Sequence, residues 1–317
     1  MKYKMSVLLG AVSYGVLSTI VTKAYGRGYA LGEVVGSQML AGFALVWVFL
    51  LIHKLRSGRA ASNAHIKTAE HAPPKLAWKQ RVLLMAAGVP TAVTGLLYYQ
   101  SLRYIHNSIA ILLLFQFTWM GILIQALGQR RRPSRTMMYS LVVLLAGTML
   151  AAGVLDEGMS SLNGMGLLFG LSSALSYSLF ILVNGKAVPS AHPVQRSAWM
   201  ITGGLLFVFV CFPPEFLIDG KLLSGLLPFG LLLGFFGAFL PPMLYAIGVP
   251  RIGEGLTGIL GAAELPVAVI LSSVVLHEHI GYLRWVGVAV VLLGVALPIL
   301  SSNMRTTTRL SRGTLPQ

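Results

Sequence analysis

Cysteine and acidic residues are scarce in this chain. A single cysteine, Cys211, among 317 residues leaves no intrachain disulfide framework and no cysteine-based zinc site. Aspartate and glutamate together number nine, and charged residues make up 10% of the chain, against about 25% in a soluble domain. With 56% hydrophobic residues and a mean hydropathy of +0.77, this composition excludes an ordinary soluble protein and indicates one that lies in a lipid bilayer.

Motifs for enzymatic chemistry are also missing. The sequence contains no Walker loop, no nucleophile elbow and no metalloprotease motif. His277-Glu278-His279 resembles a metal-binding triplet, but its i, i+2 spacing places the two histidines on different faces of a helix. We therefore expect no catalytic residues, no metal, no cofactor and no ATP hydrolysis in a protein that is not an enzyme.

Ten apolar segments fill the chain instead, each about as long as the 20 residues that cross a bilayer as a helix. They are residues 5–25, 32–53, 81–104, 108–128, 136–155, 162–184, 194–213, 223–247, 253–276 and 281–301. The first has the basic flank of a signal peptide but no clear small-x-small cleavage site, so we interpret it as a retained helix. The sequence thus predicts an all-α integral membrane protein with ten transmembrane helices.

The last five segments repeat the first five. An offset of 147 residues relates Tyr98, Ile105, Ile124, Leu145 and Gly147 to Tyr245, Ile252, Leu271, Leu292 and Gly294. An offset of 163 residues relates Ala11, Ser13, Tyr14, Lys23 and Ala24 to Ala174, Ser176, Tyr177, Lys186 and Ala187. Because five is odd, the two copies must enter the membrane from opposite sides, which predicts two inverted five-helix repeats, a plan common among secondary transporters.

The two offsets differ by 163 − 147 = 16 residues, which the long polar loop 54–80 of the first copy accounts for. We therefore divide the chain into a first repeat at 1–156, a second repeat at 160–301 and a flexible tail at 302–317. The Pro73-Pro74 pair and the polar composition predict that residues 57–80 are flexible as well.

The basic residues are unevenly distributed between the two predicted sides. With the N-terminus in the cytoplasm, 19 of the 24 lysines and arginines fall on the cytoplasmic side and five fall outside. This positive-inside bias predicts cytoplasmic N- and C-termini in a multi-pass protein of the plasma membrane. It also explains the formal charge of +15 without a nucleic-acid partner.

Glu264 is the acidic residue that falls deepest inside a segment. A charge at the bilayer centre costs about 2.5–3.5 kcal/mol on insertion scales, so such a residue is a functional candidate by default. Burial disfavours the charged carboxylate, which suits a group that carries a proton. The alternative is a structural carboxyl that hydrogen-bonds a neighbouring helix. Thr257 and Glu264 share a helical face with small residues that favour either close packing or a cavity wall.

Prolines in segments 3, 8 and 9 predict kinks or gates. Pro266 is expected to break segment 9 just after Glu264. Pro241 and Pro242 interrupt segment 8, and Pro90 interrupts its repeat partner, segment 3. Interrupted helices at corresponding places in two halves point to a substrate site near the midplane, while static kinks are the simpler reading.

Other polar groups within the segments are weaker candidates for a substrate or proton site. Each has an alternative role, as helix-to-helix hydrogen bonding for the glutamine and as packed rings for the aromatics. They are Gln116 and Trp119 in segment 4, Tyr14 in segment 1, Tyr177 in segment 6, Tyr98 in segment 3 and Tyr245 in segment 8.

The chain resembles the drug/metabolite transporter superfamily and, within it, the EamA-type ten-helix transporters. The resemblance covers residues 5–301 and is carried by Ser13-Tyr14-Gly15 and Lys23, Tyr245 to Gly253, Glu264-Leu265-Pro266-Val267, His277-Glu278-His279-Ile280, Gly287 and Gly294. His277 departs from the glycine usual there, and Phe117-Thr118-Trp119 replaces a Glu-x-Pro triplet in the first repeat. The resemblance implies a ten-helix basket with a central cavity, alternating access and export of small metabolites.

The leading interpretation is a secondary transporter that exports small amphipathic solutes by alternating access, with proton exchange as a candidate for coupling. Its expected partners are a small-molecule substrate, the lipid bilayer and protons. A membrane enzyme or a lipid flippase is the alternative. Either would require a cluster of membrane-embedded acids and histidines, whereas this sequence offers Glu264 alone. A passive channel or a membrane sensor is a third interpretation. A sensor would require a soluble signalling domain.

Overall fold

The protein is helical almost throughout. The computed structural model describes residues 2–63, 76–105, 107–129, 133–151, 163–276 and 281–312. Its α-helices are α1 (Lys2–Tyr14), α2 (Leu17–Gly26), α3 (Leu31–Asn63), α4 (Trp78–Ser101), α5 (Asn107–Leu114), α6 (Phe117–Gln129), α7 (Arg135–Ala151), α8 (Gly164–Lys186), α9 (Pro193–Cys211), α10 (Leu227–Leu233), α11 (Leu240–Ile252), α12 (Glu254–Gly261), α13 (Glu264–Val275) and α14 (Tyr282–Arg312). The all-α prediction is confirmed.

Eight helical stretches in the described part of the chain are long and apolar enough to cross a membrane. They are Lys2–Gly26, Leu31–Ile52, Trp78–Ser101, Ile109–Gly128, Gly164–Lys186, Pro193–Cys211, Leu222–Ile252 and Glu254–Val275. They coincide with eight of the ten predicted segments. The other two, segments 5 and 10, form the shorter apolar helices Arg135–Ala151 and Tyr282–Leu297. The chain is a multi-pass membrane protein, and ten spans remain a prediction.

Segments 4 and 9 are each split into two helices at corresponding positions. Segment 4 breaks at Phe115-Gln116, between α5 and α6, and segment 9 breaks at Ala262-Ala263, between α12 and α13. The first residues of α12 and α13 lie 254 − 107 = 147 and 264 − 117 = 147 residues after those of α5 and α6. The breaks therefore follow the 147-residue offset that the sequence predicts.

Proline explains the break in segment 9. Pro266 has no N–H to donate to the Ala262 carbonyl four residues back. The Leu265 N–H bonds that carbonyl instead, at 3.2 Å, in a tighter i to i+3 turn. The break thus precedes Glu264, whereas the sequence analysis expects it just after. Glu264 is consequently the first residue of α13 rather than the last residue of a preceding helix.

A side chain replaces a backbone bond at the break in segment 4. The Gln116 N–H bonds the Leu113 carbonyl at 3.1 Å, which leaves the Leu112 carbonyl without its usual partner. The Gln116 side-chain amide donates to that carbonyl at 2.9 Å, and its oxygen accepts from the Trp119 indole at 2.9 Å. Gln116 and Trp119 therefore join the two halves of their own segment, rather than bonding a neighbouring helix.

Two further segments are irregular. Segment 1 breaks between α1 and α2 at Gly15-Val16. Segment 8 widens into a π-helix over Gly234–Phe239, directly before Pro241 and Pro242 at the start of α11. These prolines donate no hydrogen bond to the preceding turn, which favours this wider winding. Pro90, by contrast, lies inside the continuous helix α4, so its predicted interruption is not observed.

Two helices extend beyond their predicted ends. Helix α3 continues to Asn63 and α14 to Arg312. The sequence analysis expects a polar loop from residue 54, flexible from residue 57, and a flexible tail from residue 302. Residues 302–312 contain no proline or glycine, and residues 54–63 contain only Gly58, so nothing in either stretch breaks the helix strongly. Residues 64–75, the rest of the predicted loop, lie outside the described part of the chain.

Glycines let several helices pack with their backbones in contact. In helix α4, Gly88 lies against the Met200 carbonyl of α9, and Gly203 of α9 lies against the Met85 carbonyl of α4. Helices α7 and α14 form a second such contact. There, a Cβ on Gly147 would lie 2.8 Å from the Val291 nitrogen, and a Cβ on Gly294 would lie 2.9 Å from Leu144 Cγ. Small residues at helix crossings are typical of membrane-embedded bundles.

Helix ends predicted on the same side of the membrane meet in the structure. The Arg251 guanidinium lies 5.4 Å from the centre of the Tyr3 ring, and both positions are predicted to be cytoplasmic. The Lys221 ammonium lies 2.6 Å from the Glu33 carboxylate, and both are predicted to be outside. These contacts are the ones expected if successive segments run in opposite directions.

Candidate functional site

A cavity lies between helices of the two halves. It is enclosed by residues from α1 to α5, α8, the π-helix of segment 8 and α13. The lining consists of Tyr14, Leu17, Gln38, Met39, Thr91, Thr94, Gly95, Tyr98, Tyr99, Leu114, Tyr177, Gly237 and Glu264. Its free volume of about 50 Å³ is enough for a few water molecules. We call this space the central cavity.

Glu264 lies where two helix breaks meet. It begins α13 directly after the break in segment 9. Gly15, at the break in segment 1, packs so closely that a Cβ there would lie 2.5 Å from the Glu264 carbonyl oxygen. The contact holds the first residue of α13 beside the junction of α1 and α2. The Glu264 side chain thereby lines the central cavity from a fixed backbone position.

The Glu264 side chain is partly buried, and one of its carboxyl oxygens is fully buried. Its Oε2 atom has no hydrogen-bond partner within the described part of the chain. A buried carboxylate oxygen without a donor is costly, whereas a protonated carboxyl or a bound cation removes most of that cost. Glu264 is therefore suited either to hold a proton or to bind a cationic group in the cavity.

Four tyrosines line the same cavity as this carboxyl and a fifth is hydrogen-bonded to one of them, and we call the five the tyrosine cluster. Their members are Tyr14, Tyr98, Tyr99, Tyr177 and Tyr245, all within electrostatic range of Glu264. The Tyr14 ring meets those of Tyr177 and Tyr245 edge-on, at centroid distances of 5.8 and 5.9 Å. Such edge-to-face contacts stabilise aromatic packing.

The hydroxyl groups of the cluster are unevenly satisfied. Tyr177 and Tyr245 share a hydrogen bond of 3.1 Å, and Tyr99 donates to the Gln38 side-chain oxygen at 3.0 Å. The Tyr14 hydroxyl is buried and has no partner among the described residues. Together with Glu264 Oε2, it leaves two unpaired polar atoms beside the cavity.

Within the part of the chain that the structure describes, no lysine, arginine or histidine lines the central cavity. The lining therefore combines one carboxyl, aromatic hydroxyls, two threonines and a glutamine with apolar surface. This arrangement can exchange a proton or bind a positively charged group, but it offers no cationic side chain to an anion.

The structure separates the predicted site residues into two groups. Four of them line the central cavity, namely Tyr14, Tyr98, Tyr177 and Glu264. Tyr245 shares a hydrogen bond with the lining residue Tyr177. Gln116, Trp119 and Thr257 are not among the lining residues. Thr257 donates to the Gly253 carbonyl at 2.8 Å, within its own helix. Helix α12 ends at Gly261, so the helical face that places Thr257 beside Glu264 does not continue across the break.

Several lining residues have no strong sequence signal. Thr91 and Thr94 lie in α4 beside Pro90, whose carbonyl accepts hydrogen bonds from Thr94 at 2.7 Å and from Ser176 of α8 at 2.9 Å. Gln38 is the exception, because an amide within an apolar segment could have been noted from the sequence. Gly95 and Gly237 contribute only space, which no pattern within one segment predicts.

A second buried polar group lies at the predicted cytoplasmic ends of α8, α9 and α11. Arg196 of α9 is 1% exposed and donates to the Asn184 carbonyl of α8 and, at 3.2 Å, to the Ala246 carbonyl of α11. Pro250 has no N–H for the Ala246 carbonyl, so the guanidinium supplies the missing donor. Arg196 thus joins three helices through carbonyls that their own helices leave free.

A larger cavity opens near the predicted outer ends of α3, α4, α8 and α9. It has a volume of about 570 Å³ and includes Glu33, Gln100, Arg103 and Glu215. Nearby, the backbone N–H of Lys221 holds the pKa of Asp219 below its ordinary value, and the hydrogen bond to Glu33 raises the pKa of Lys221. These contacts favour the charged forms of Asp219 and Lys221.

Comparisons with known proteins support these observations. Residues 164–300 match the model of the EamA-like transporter family, which belongs to the drug/metabolite transporter superfamily. The resemblance stated from the sequence is confirmed for residues 164–300. A solved protein crystal structure superposes with a TM-score of 0.67 at 15% identity, over 95% of this chain and 98% of that one, which shows a shared fold. A search of curated proteins finds no match.

Proposed function

Because its second half matches the EamA-like transporter family, we propose that this multi-pass membrane protein is a secondary transporter that exports small amphipathic metabolites in exchange for protons. The observation that carries the proposal is Glu264, a partly buried carboxyl that lines the central cavity at the contact of two broken helices. Broken helices beside a midplane cavity are the usual setting of substrate sites in secondary transporters.

Alternating access requires two halves that can exchange conformations. The equal spacing of the breaks in segments 4 and 9 supports such a relation between residues 1–156 and 160–301. Reciprocal contacts support it too, because Gly147 meets Val291 while Gly294 meets Leu144. The 147-residue offset relates both glycines and both partners, so the contact is the one expected across a two-fold axis.

The sizes of the two cavities suit one step of such a cycle. The central cavity, at about 50 Å³, is too small for a metabolite, while the cavity at the predicted outer ends has about 570 Å³. Substrate binding then requires the helices around Glu264 to separate. Arg196, at the predicted cytoplasmic ends, joins three helices and would resist separation on that side.

The direction of export rests on the orientation and the family. The positive-inside distribution favours cytoplasmic termini in the plasma membrane, with the tail 302–317 inside. In that orientation, an inward proton gradient can drive the solute outward if the proton and the solute compete for the same carboxyl.

Transport by reconstituted protein tests the proposal. Purified protein in liposomes should move at least one labelled solute from a panel of amino acids, nucleosides and organic amines. A Cβ on Gly95 meets no atom within 4 Å although the residue lines the central cavity. Gly95→Phe should therefore fill the cavity and abolish transport, while Gly95→Ala should retain most of it. Unaltered transport by Gly95→Phe would show that solutes bypass the central cavity.

A further inference from the structure

We propose that the central cavity selects a monovalent organic cation, an amine or quaternary ammonium group, which binds between Glu264 and the tyrosine cluster in place of the proton on the carboxyl. The proposal rests on the transport function proposed above and names the substrate class of the same cavity.

Charge balance is the first argument. Among the described residues, Glu264 is the only acidic one that lines the cavity, and no basic side chain lines it. The unpaired Oε2 atom has no internal counterion among the described residues. A bound monocation neutralises one carboxylate, whereas a neutral solute leaves the carboxylate uncompensated or keeps it protonated. Glu264 also begins α13, where the helix dipole stabilises a negative charge.

Aromatic side chains give the second argument. Tyr14, Tyr98, Tyr99 and Tyr177 line the same cavity as the carboxyl. Their rings carry negative charge on their faces and attract ammonium groups, the interaction that aromatic cages use for quaternary ammonium ligands. The methyl groups of such a ligand also bury apolar surface against Leu17, Met39 and Leu114, which an inorganic cation cannot do.

The same lining disfavours anions and zwitterions. A substrate carboxylate is bound most strongly by arginine or lysine, and the described residues around the cavity provide neither. It would also lie near Glu264, whose negative charge repels it when ionised. The cavity therefore distinguishes a simple amine from an amino acid, although both carry the same cationic group.

Competition between the cation and a proton gives the pH dependence. Among the described residues, the titratable groups near Glu264 are the five tyrosines on α1, α4, α8 and α11, and tyrosine hydroxyls ordinarily stay neutral below pH 9. The carboxyl is therefore the group in this set that can exchange its proton for a bound cation. As pH falls and Glu264 takes up its proton, the apparent affinity for the cation should fall by up to about tenfold per pH unit.

A matched set of three ligands tests the charge requirement. Choline carries a trimethylammonium group, 3,3-dimethylbutan-1-ol has the same shape without charge, and glycine betaine adds a carboxylate. Binding to the purified full-length protein can be measured by calorimetry, with proton release followed in weakly buffered solution. We expect choline to bind with release of one proton, and the other two to bind at least about tenfold more weakly.

Variants separate the site from general effects on the fold. Glu264→Gln should abolish proton release and choline binding, and Glu264→Asp should keep both. Tyr14→Phe retains the ring and should bind choline, whereas Tyr14→Leu should bind it at least about fivefold more weakly. The matched control is Glu254→Gln, a buried acid that does not line the cavity and should leave binding unchanged.

Two results would overturn the cation proposal. The first is an absence of choline binding, or binding that survives in Glu264→Gln. The second is equal binding of choline, its neutral isostere and betaine. Neither result would touch the transport function, which the liposome assay with Gly95→Phe tests separately. Transport of neutral or zwitterionic solutes blocked by Gly95→Phe would keep the transporter and reject the cation as its substrate class.

Discussion

At the residue scale, the two halves differ at a pair of corresponding positions beside the central cavity. Glu264 and Phe117 are the first residues of α13 and α6, which the 147-residue offset relates. The Phe117 ring packs against Tyr177 at a centroid distance of 4.5 Å, while Glu264 lines the cavity beside Tyr14, the repeat partner of Tyr177. One half thus supplies an ionisable group where the other supplies packing.

Replacement of Glu264 by glutamine should separate protonation from shape. The amide nearly preserves size and hydrogen bonding, so Glu264→Gln should fold and reach the membrane. Because an amide cannot carry the exchanged proton, transport should be lost or should no longer respond to an imposed pH gradient. Liposome transport at several pH gradients measures this, with Glu254→Gln as the control. Normal transport with an unchanged pH response would assign Glu264 to packing alone.

Arg196 provides a second prediction at this scale. Arg196→Met keeps much of the volume but removes the donors to the Asn184 and Ala246 carbonyls. Loss of these bonds should destabilise the protein by about 1–3 kcal/mol, because buried acceptors are left without partners. Thermal unfolding in detergent measures the change. Arg196→Lys can bond only one of the two carbonyls well, so its stability should lie between those of the wild type and Arg196→Met. Equal stability of the wild type and both variants would show that Arg196 has no structural role.

At the element scale, the helix breaks govern the site, and their close contacts are sensitive to size. Gly15→Ala places a Cβ 2.5 Å from the Glu264 carbonyl oxygen, so the two breaks must move apart. We expect a loss of about 1–3 kcal/mol in unfolding free energy, as for other overpacked sites. Gly121→Ala in α6 is the control, because a Cβ there meets no atom within 4 Å.

A stable Gly15→Ala variant with normal transport would show that the contact is not required. If the variant is stable but transports slowly, the increased distance between the breaks in segments 1 and 9 slows the transport cycle without affecting the fold. Unfolding of both glycine variants to the same extent would instead point to a general effect of alanine.

The sequence predicts the elements better than their interruptions. Segment positions follow from runs of apolar residues, which the bilayer requires at a fixed length. Pro266 marks the break in segment 9, but only the hydrogen bond from Leu265 places it before Glu264. The break in segment 4 has no proline or glycine to mark it. It depends on the Gln116 side chain replacing its own backbone bond, which is a choice between two local hydrogen-bond patterns.

The candidate site is predictable to a similar extent. Glu264 and four tyrosines are identifiable because polar groups within apolar segments are costly and few. Thr257, Gln116 and Trp119 meet the same criterion but bond within their own segments. Which polar groups face a common cavity depends on the rotation of each helix about its axis, and a break resets that rotation.

At the scale of the whole molecule, the orientation in the membrane is open to a direct test. Cysteines at Ser62 and Ser311, placed in a Cys211→Ser background, should be protected from impermeant reagents added to intact cells. A cysteine at Ser160 should be labelled, because it falls on the predicted outer side with few basic residues. Permeabilised cells provide the control for reactivity. Labelling of Ser62→Cys in intact cells would invert the proposed topology.

The equal spacing of the two breaks has a consequence for the history of the chain. Suppose that the halves descend from one duplicated five-helix ancestor. The side chains of the two corresponding stretches, 107–117 and 254–264, have then been substituted, but neither stretch has gained or lost a residue relative to the other. An insertion there would rotate all that follows by about 100° and turn the carboxyl away from the tyrosines. Length is therefore the inherited property of this site, and the side chains are what each copy has been free to change.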